Sequence, residues 1–544
     1  MKISTTKSRI VSAFAVVALA GTVMVGAPSA AQATPQCRTA NFVTSCAGVG
    51  ADGAPYTFIA AANFNGTVFI WSHGIRPAID LPATLAPVGP YTMTNAAEPG
   101  PGASEGDLSI INKLVAAGYG VAGSGFSRQA VNAPQALAAN KELIATFKTK
   151  FPTTKSVIAW GKSIGALHSQ MLAEKNPELV DGVILACPVA NPQDALIAYF
   201  GDALWGFKAL FDPSIIVGGY STDPETRKNQ QWANIGKVLV VLGALRDGLT
   251  SGAWPATASP AGKALQAQGI PSRSALLAIG LMAGIPTRSE HVDGTSGPVG
   301  ATDTYPLAVA PAVAILENMG TVGPAGTLLL ADGELLTGGK VFDNSNTDYA
   351  ARISAEADIF SFALSGNKAV AGIISALAAT PREKADAAAV AKIPGIIGVS
   401  GKITKPTIIF QAESDQYTPA AIVQWHIDTY AAQFAAEKAK AMADAKKSRS
   451  YVAPKNNLLT LWEKTATTYS KFTAAGTPDL SATAGAGTGH CTFTAAQYLA
   501  AADLMVETLN NGKFPLGGKI RTTARKAGLS FDKEFQVPTF KALQ

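Results

Sequence analysis

The chain has 544 residues, 47% hydrophobic and 15% charged, with 44 Lys+Arg against 38 Asp+Glu and a formal charge of +6. That length allows one large domain, or a core domain carrying an insertion. The charge is too small and too scattered to argue for nucleic acid or an anionic membrane surface as a partner.

The N-terminus reads as a leader. Lys2, Lys7 and Arg9 form a positive region, Ile10 to Val25 is apolar, and Pro28 precedes the small-x-small run Ala31-Gln32-Ala33. This is the pattern of a secretory signal peptide over 1–33, with cleavage near Ala33, a mature chain from about Thr34, and a secreted product. Removing it leaves 41 Lys+Arg against 38 Asp+Glu, a charge of +3. No later stretch reaches the roughly 18 uninterrupted apolar residues that span a membrane. The four cysteines, Cys37, Cys46, Cys187 and Cys491, are an even set in an exported chain, which favours disulfides. Cys37 and Cys46 are sequence neighbours and would close a small loop. That leaves Cys187 for Cys491, a bond that would tie the middle of the chain to its end. The spacings fit no zinc site, and neither metal nor cofactor is expected.

From residue 55 onward, apolar runs of strand length alternate with amphipathic runs of helix length. Strands are expected at Tyr56 to Phe64, Thr67 to Ser72, Gly120 to Gly123, Val157 to Trp160 and Val180 to Ala186. Helices are expected at Asp107 to Ala117, Ala133 to Phe147 and Ile164 to Lys175. The alternation implies βαβ units, a mostly parallel sheet and helices on both faces. After Pro188 the chain turns rich in Ala, Gly, Leu and Pro, with helical patches such as Ala203 to Leu210 and Ala310 to Glu317. The α/β rhythm then resumes with a strand at Pro406 to Phe410 and helices at Pro419 to Lys438 and Thr494 to Leu509. The expected organisation is a first core part over 34–190, a mainly helical cap over 191–400, and a second core part over 401–544. Lys438 to Arg449 reads as a solvated, lysine-rich helix end.

The chemistry begins at Gly161-Lys162-Ser163-Ile164-Gly165. A chain this long and glycine-rich yields roughly 0.3 such G-x-S-x-G matches by chance, so context decides. Here a strand precedes the motif and a helix follows. A sharp strand–turn–helix needs Gly161 and Gly165 because its backbone is crowded, and it presents Ser163 at a helix N-terminus, where N–H groups can hold an oxyanion. No other serine has glycine at both positions. Lys162 is expected to point to solvent.

A serine nucleophile needs a base, and the chain has five histidines. His168 lies on the same helix as Ser163 and cannot fold back to it. His426 falls inside a helix, His291 inside the cap, and His73 directly after an early strand. His490, in the loop Gly485-Ala486-Gly487-Thr488-Gly489-His490 before the last helix, is the expected base. Its orienting acid is expected at Asp415, with Glu413 in reserve, because both follow the strand ending at Phe410, on the side of a parallel sheet that carries active sites.

The order Ser163, Asp415, His490 resembles the α/β-hydrolase superfamily, in which nucleophile, acid and base follow that order. His73-Gly74 looks like its HG oxyanion motif, and Glu413-Ser414-Asp415-Gln416-Tyr417-Thr418-Pro419 like its acid loop. The likeness covers roughly 55–190 and 400–510. It implies an α/β-hydrolase-type fold, acyl transfer through Ser163, and an oxyanion hole from the N–H groups of Ile164 and of Gly74 or Ile75. The acid-to-base spacing is long, which implies an insertion between Tyr430 and Gly487, and no last strand is read before His490. His490-Cys491 further resembles the tannase and feruloyl esterase group, in which the cysteine after the histidine bonds one preceding the serine. Lys162 occupies that place here, and a Cys187–Cys491 bond could serve the same end.

The expected activity is therefore that of a serine esterase, a carboxylic-ester hydrolase acting on a small-molecule or polymeric ester, apolar or aromatic. Trp205, Phe207 and Phe211 in the cap fit such a group. Two other functions compete. An exported serine aminopeptidase of the same fold would need carboxylates to hold a substrate amine, with Glu290, Asp293, Glu317, Glu356 and Asp358 as candidates. A non-catalytic hydrolase-fold binding protein would fold yet fail to react with a fluorophosphonate. Asp343-Asn344-Ser345-Asn346-Thr347-Asp348 alternates oxygen-bearing residues like a calcium loop but lacks its central glycine and distant Glu, and reads as a polar turn.

Overall fold

The computed structural model describes residues 34–189, 195–295, 309–448, 450–474, 476–538 and 540–543. The expected leader, 1–33, and Arg449 lie outside them. Nine strands form one sheet: β1 (Gln36–Ala40), β2 (Val43–Val49), β3 (Pro55–Ala61), β4 (Thr67–Ser72), β5 (Gly120–Ser124), β6 (Ser156–Lys162), β7 (Gly182–Ala186), β8 (Thr407–Ala412) and β9 (Leu458–Glu463). Their order is β1-β2-β3-β5-β4-β6-β7-β8-β9. The first three strands join antiparallel, and every pairing from β5–β4 onward is parallel. This is an α/β-hydrolase-type fold with a helical insertion.

Alternation along each strand supplies two cores, because successive side chains point to opposite faces. Val68, Ile70, Val157, Ala159, Val183 and Leu185 pack with Leu143, Phe147 and Leu172 from α2 (Ala133–Lys150) and α3 (Ile164–Lys175). Phe69, Trp71, Ile158, Trp160 and Phe410 pack the other way, onto α1 (Ser109–Ala116) and α14 (Ala495–Asn511). Trp71, Trp160 and Tyr498 meet edge to face beneath the end of β6. From β4 the chain crosses to β5 on one side, and from β6 to β7 on the other. The ends of β4 and β6 therefore flank a switch point, where such sheets open a crevice. Ser72 pairs with Gly161, so the two ends are level.

Between β7 and β8 the described residues contain helices and no strand: α4 (Ala195–Leu210), α5 (Pro224–Asp247), α6 (Pro260–Ala267), α7 (Ser272–Ala283), α8 (Ala310–Thr337), α9 (Tyr349–Ala357), α10 (Asn367–Ala379), α11 (Ala387–Val390) and α12 (Ile393–Ile397). They enclose their own core around Leu204, Trp205, Phe207, Leu276, Ile279 and Ile315. Within it Asp202 accepts from Arg352 at 2.7 Å and from the Tyr349 hydroxyl at 2.5 Å, and burial pushes its carboxyl up to about 6. α8 is, among the described residues, the one helix long and apolar enough to cross a membrane, and 61% of its apolar window is buried in the protein. The final helices are α13 (Ala421–Ser448) and α15 (Gly517–Lys526).

Several expectations change. A strand does precede His490: β9, whose Leu459 and Leu461 are buried. β1 was invisible because it is fully exposed and buries no alternate face, and β2 because it buries only Cys46 fully. Trp205, Phe207 and Phe211 are consumed by the insertion's core, with 0% exposure each, rather than facing a substrate cleft. Of the polar run at 343–348, Asp348 caps α9 through the Ala351 N–H, Asn344 is buried against Tyr349, and Asp343 accepts from Ser345 and Ala385. The run is a structural turn.

Candidate functional site

β6 ends at Lys162, and Ser163, at φ +56° and ψ −124°, turns the chain into α3, which begins at Ile164. The turn fits because its flanks carry no Cβ: one on Gly165 would overlap the Ser72 and His73 carbonyls, and one on Gly161 those of Gly165 and Ser72. Ser163 donates its N–H to Ala186 at 3.0 Å and is 5% exposed.

His490 lies across the elbow. Its Nε2 is 2.8 Å from Ser163 Oγ, and its Nδ1 is 2.9 and 3.0 Å from the two oxygens of Asp415. A carboxylate only accepts, so Nδ1 carries the proton and Nε2 is free to accept from the serine. Asp415 is fully buried, and its burial is compensated by the N–H groups of Tyr417 and Thr418, each at 2.8 Å, and by the Thr418 hydroxyl at 2.9 Å. Glu413 instead turns away and accepts the N–H of Thr465 at 2.8 Å.

The histidine loop is held from two sides. Ser414 donates to Gly487 O at 2.8 Å, and the Thr465 hydroxyl donates to the same oxygen at 2.8 Å. Cys491 is disulfide-bonded to Cys187, just past β7, and Cys37 to Cys46, joining β1 to β2. Cys187 and Cys491 both have positive φ, and Cys187 N–H donates to Phe410 on β8.

Gly74 and Ile75 follow β4 beside the elbow, and Gly74 lies under the Lys162 side chain. Contrary to expectation Lys162 is not simply solvated: it is 24% exposed and its Nζ lies 3.5 Å from Glu105. The loop is pinned by a pair the sequence reading missed. Arg76 donates to Glu98 at 2.8 Å, and Glu98, 2% exposed, also accepts from Trp71 Nε1 at 2.9 Å. Nothing in the local sequence marks these residues, since the contact joins positions more than twenty apart. Tyr417, whose ring lies 4.9 Å from that of His490, and Thr418 fall in the acid loop read from the sequence, but nothing there showed their contacts with His490 and Asp415.

The other histidines stand apart from the serine. His168 is buried with neither ring nitrogen hydrogen-bonded, edge-on to Phe126, and burial, with His73 nearby, lowers its pKa to about 3. His73 also packs on Phe126, with ring centroids 4.6 Å apart, and burial, helped by Arg76, lowers its pKa to about 4. His426 is buried on α13 beside Trp425, and His291 bonds Glu317 at 2.5 Å. Of the insertion's carboxylates, Asp293 is taken by the N–H groups of Tyr469, Ser470 and Thr295, Glu317 by His291 and Ser289, and Glu356 by Lys541; Asp358 is exposed. Glu290 alone approaches the histidine loop, at Gly489.

A cavity opens next to the elbow, between α3 and the insertion. It is lined by Ile164 and Val189 beside the elbow and by Leu196, Phe200, Leu330 and Ile393 of the insertion.

Residues 131–248, from the loop before α2 through the elbow to the end of α5, match the Esterase family model (Putative esterase). No curated protein sequence matches the chain. Among solved structures it is similar to feruloyl esterase B from Aspergillus oryzae, at 11% identity and a TM-score of 0.35 over 90% of this chain and 86% of that one. It is also similar to tannin acyl hydrolase from Aspergillus niger, at 12% and 0.32 over 89% and 83%. A third is the rice cell wall degrading esterase LipA from Xanthomonas oryzae, at 11% and 0.31 over 80% and 85%.

Proposed function

We propose that the protein is a secreted serine hydrolase that cleaves carboxylic esters through an acyl-serine intermediate. The observation that carries this is the unbroken chain from Ser163 Oγ to His490 Nε2 and from His490 Nδ1 to Asp415, at 2.8 and 2.9 Å. Ser163 Oγ attacks the ester carbonyl as His490 Nε2 takes its proton, and Asp415 holds the imidazole and stabilises the imidazolium. The N–H groups of Ile164 and of Gly74 or Ile75 receive the oxyanion at the N-terminus of α3. His490 returns the proton to the leaving alcohol, and water, activated by the same imidazole, releases the acid. The leader over 1–33 and the two disulfides support export. The insertion acts as a cap: the Tyr199 hydroxyl donates to Gln416 O of the acid loop at 2.6 Å.

The test is hydrolysis of an ester panel, with matching anilides, by wild type and Ser163→Ala. The expected result is ester cleavage by wild type, little anilide cleavage, and a loss of at least about 10³-fold in the mutant. Retained activity in Ser163→Ala would remove the serine from the mechanism. Faster cleavage of amino-acid anilides would favour a peptidase with Glu290 at the substrate amine.

A further inference from the structure

The cavity beside the elbow has a lining that narrows the substrate, given the ester-hydrolase reading on which the inference rests. Every side chain in it is hydrocarbon except that of Thr337, whose hydroxyl donates back to Gly333 O at 2.8 Å within α8. Phe200 is its one ring; the rest of the wall is Val, Leu and Ile, with Gly333 supplying bare backbone.

The position of the cavity decides which half of an ester enters it. His490 must protonate the departing oxygen, so the alcohol faces the imidazole and the acyl substituent is directed to the opposite side of Ser163. No residue of the acid loop or of the histidine loop lines the cavity. Ile164 does, and Ile164 follows the nucleophile directly and supplies an N–H to the oxyanion. Val189 does too, and its N–H donates to Ser163 O at 3.4 Å. Ser163 itself does not line the cavity, and an acyl chain directed away from the imidazole would meet these two neighbouring side chains first.

We propose that this cavity is the acyl site, and that it takes saturated aliphatic acyl groups in preference to hydroxylated aromatic acids. Each methylene moved from water into such a wall gains roughly threefold in kcat/KM until the space is filled. A phenolic hydroxyl buried there has only the Thr337 hydroxyl oxygen to bond, and away from it each such group costs about tenfold or more. A polar esterase pocket would show the reverse pattern.

The experiment measures kcat/KM on p-nitrophenyl acetate, butyrate, hexanoate and ferulate, and on acetate esters of alcohols of rising length. Fluorophosphonate labelling of Ser163 serves as the check on folding. The expected result is a rise of about tenfold or more from acetate to hexanoate, ferulate at least about tenfold below butyrate, and little dependence on alcohol length. Gly333→Phe and Leu196→Trp, two fillings of the cavity from different helices, should each lower the hexanoate-to-acetate ratio at least about tenfold. A flat acyl profile, a preference for ferulate, length dependence that follows the alcohol, or an unchanged ratio in both labelled variants would overturn the proposal. If no ester is cleaved and Ser163 takes no label in folded wild type, the esterase reading itself has failed.

Discussion

Ser163 sits at φ +56°, in a backbone region that costs a non-glycine residue about 1–3 kcal/mol. The surroundings hold it there: Gly161 and Gly165 let the turn close against the end of β4, and no side chain larger than hydrogen fits at either. Gly165→Ala should therefore cost at least about 100-fold in ester hydrolysis, measured alongside near-ultraviolet circular dichroism to show whether the core survives. Near-normal activity would mean that the elbow geometry is not needed. For the two candidate acids, Asp415→Asn should reduce kcat roughly 10³- to 10⁴-fold with little change in KM, because the amide can hold the wrong imidazole tautomer. Glu413→Gln should change it by less than about threefold, since Glu413 serves Thr465. The opposite ranking would reassign the acid. At this scale the site was legible where its residues are local. The bracketing glycines of Ser163 and the polar loop after the β8 run could be read directly, but Arg76–Glu98 could not, because tertiary pairing leaves no sequence period.

The histidine loop depends on elements that meet only in three dimensions. β9 supplies the Glu463 carbonyl over which Gly487 turns, the acid loop bonds Gly487, and the Cys187–Cys491 disulfide fastens the loop to the end of β7. Its members are 304 residues apart in sequence, so reduction frees a very large loop. The double variant Cys187→Ser/Cys491→Ser should lose at least about tenfold in kcat while far-ultraviolet circular dichroism stays close to wild type. Unchanged kcat would show that the neighbouring hydrogen bonds suffice. Among elements, those with a strong period were readable: β4 and α3 fall at their expected ends, Thr67 to Ser72 and Ile164 to Lys175. β9 escaped because it is only six residues long, although Pro454 and Asn456-Asn457 directly before it form a turn signal. α8 was read only at its first turns, since Pro324 and several glycines interrupt its pattern over 28 residues.

Across the whole molecule, the parallel half of the sheet was legible because both its faces are buried and the strands are continuous apolar runs. The insertion was legible in composition alone; its helices pack on one another all round, so no single apolar face reveals which helix touches which. The buried imidazoles give the whole fold a pH response. His168 and His73 are lowered to about 3 and about 4, so below pH 6.5 the unfolded chain binds protons that the folded chain does not. Stability should therefore fall as pH drops from 6.5 towards 4, with a slope of up to about two protons, and the His168 share should persist to about pH 3. Urea unfolding at pH 7 and pH 4.5 should show a smaller difference in His168→Gln than in wild type, and an equal difference would assign the acid response elsewhere. The central claim concerns the serine. The most direct measurement is peptide mass spectrometry after treatment with a fluorophosphonate. The account predicts a single adduct on the peptide containing Ser163, formed in wild type, lost in Ser163→Ala and strongly slowed in His490→Ala. An adduct on another residue, or none in the folded wild-type protein, would contradict it.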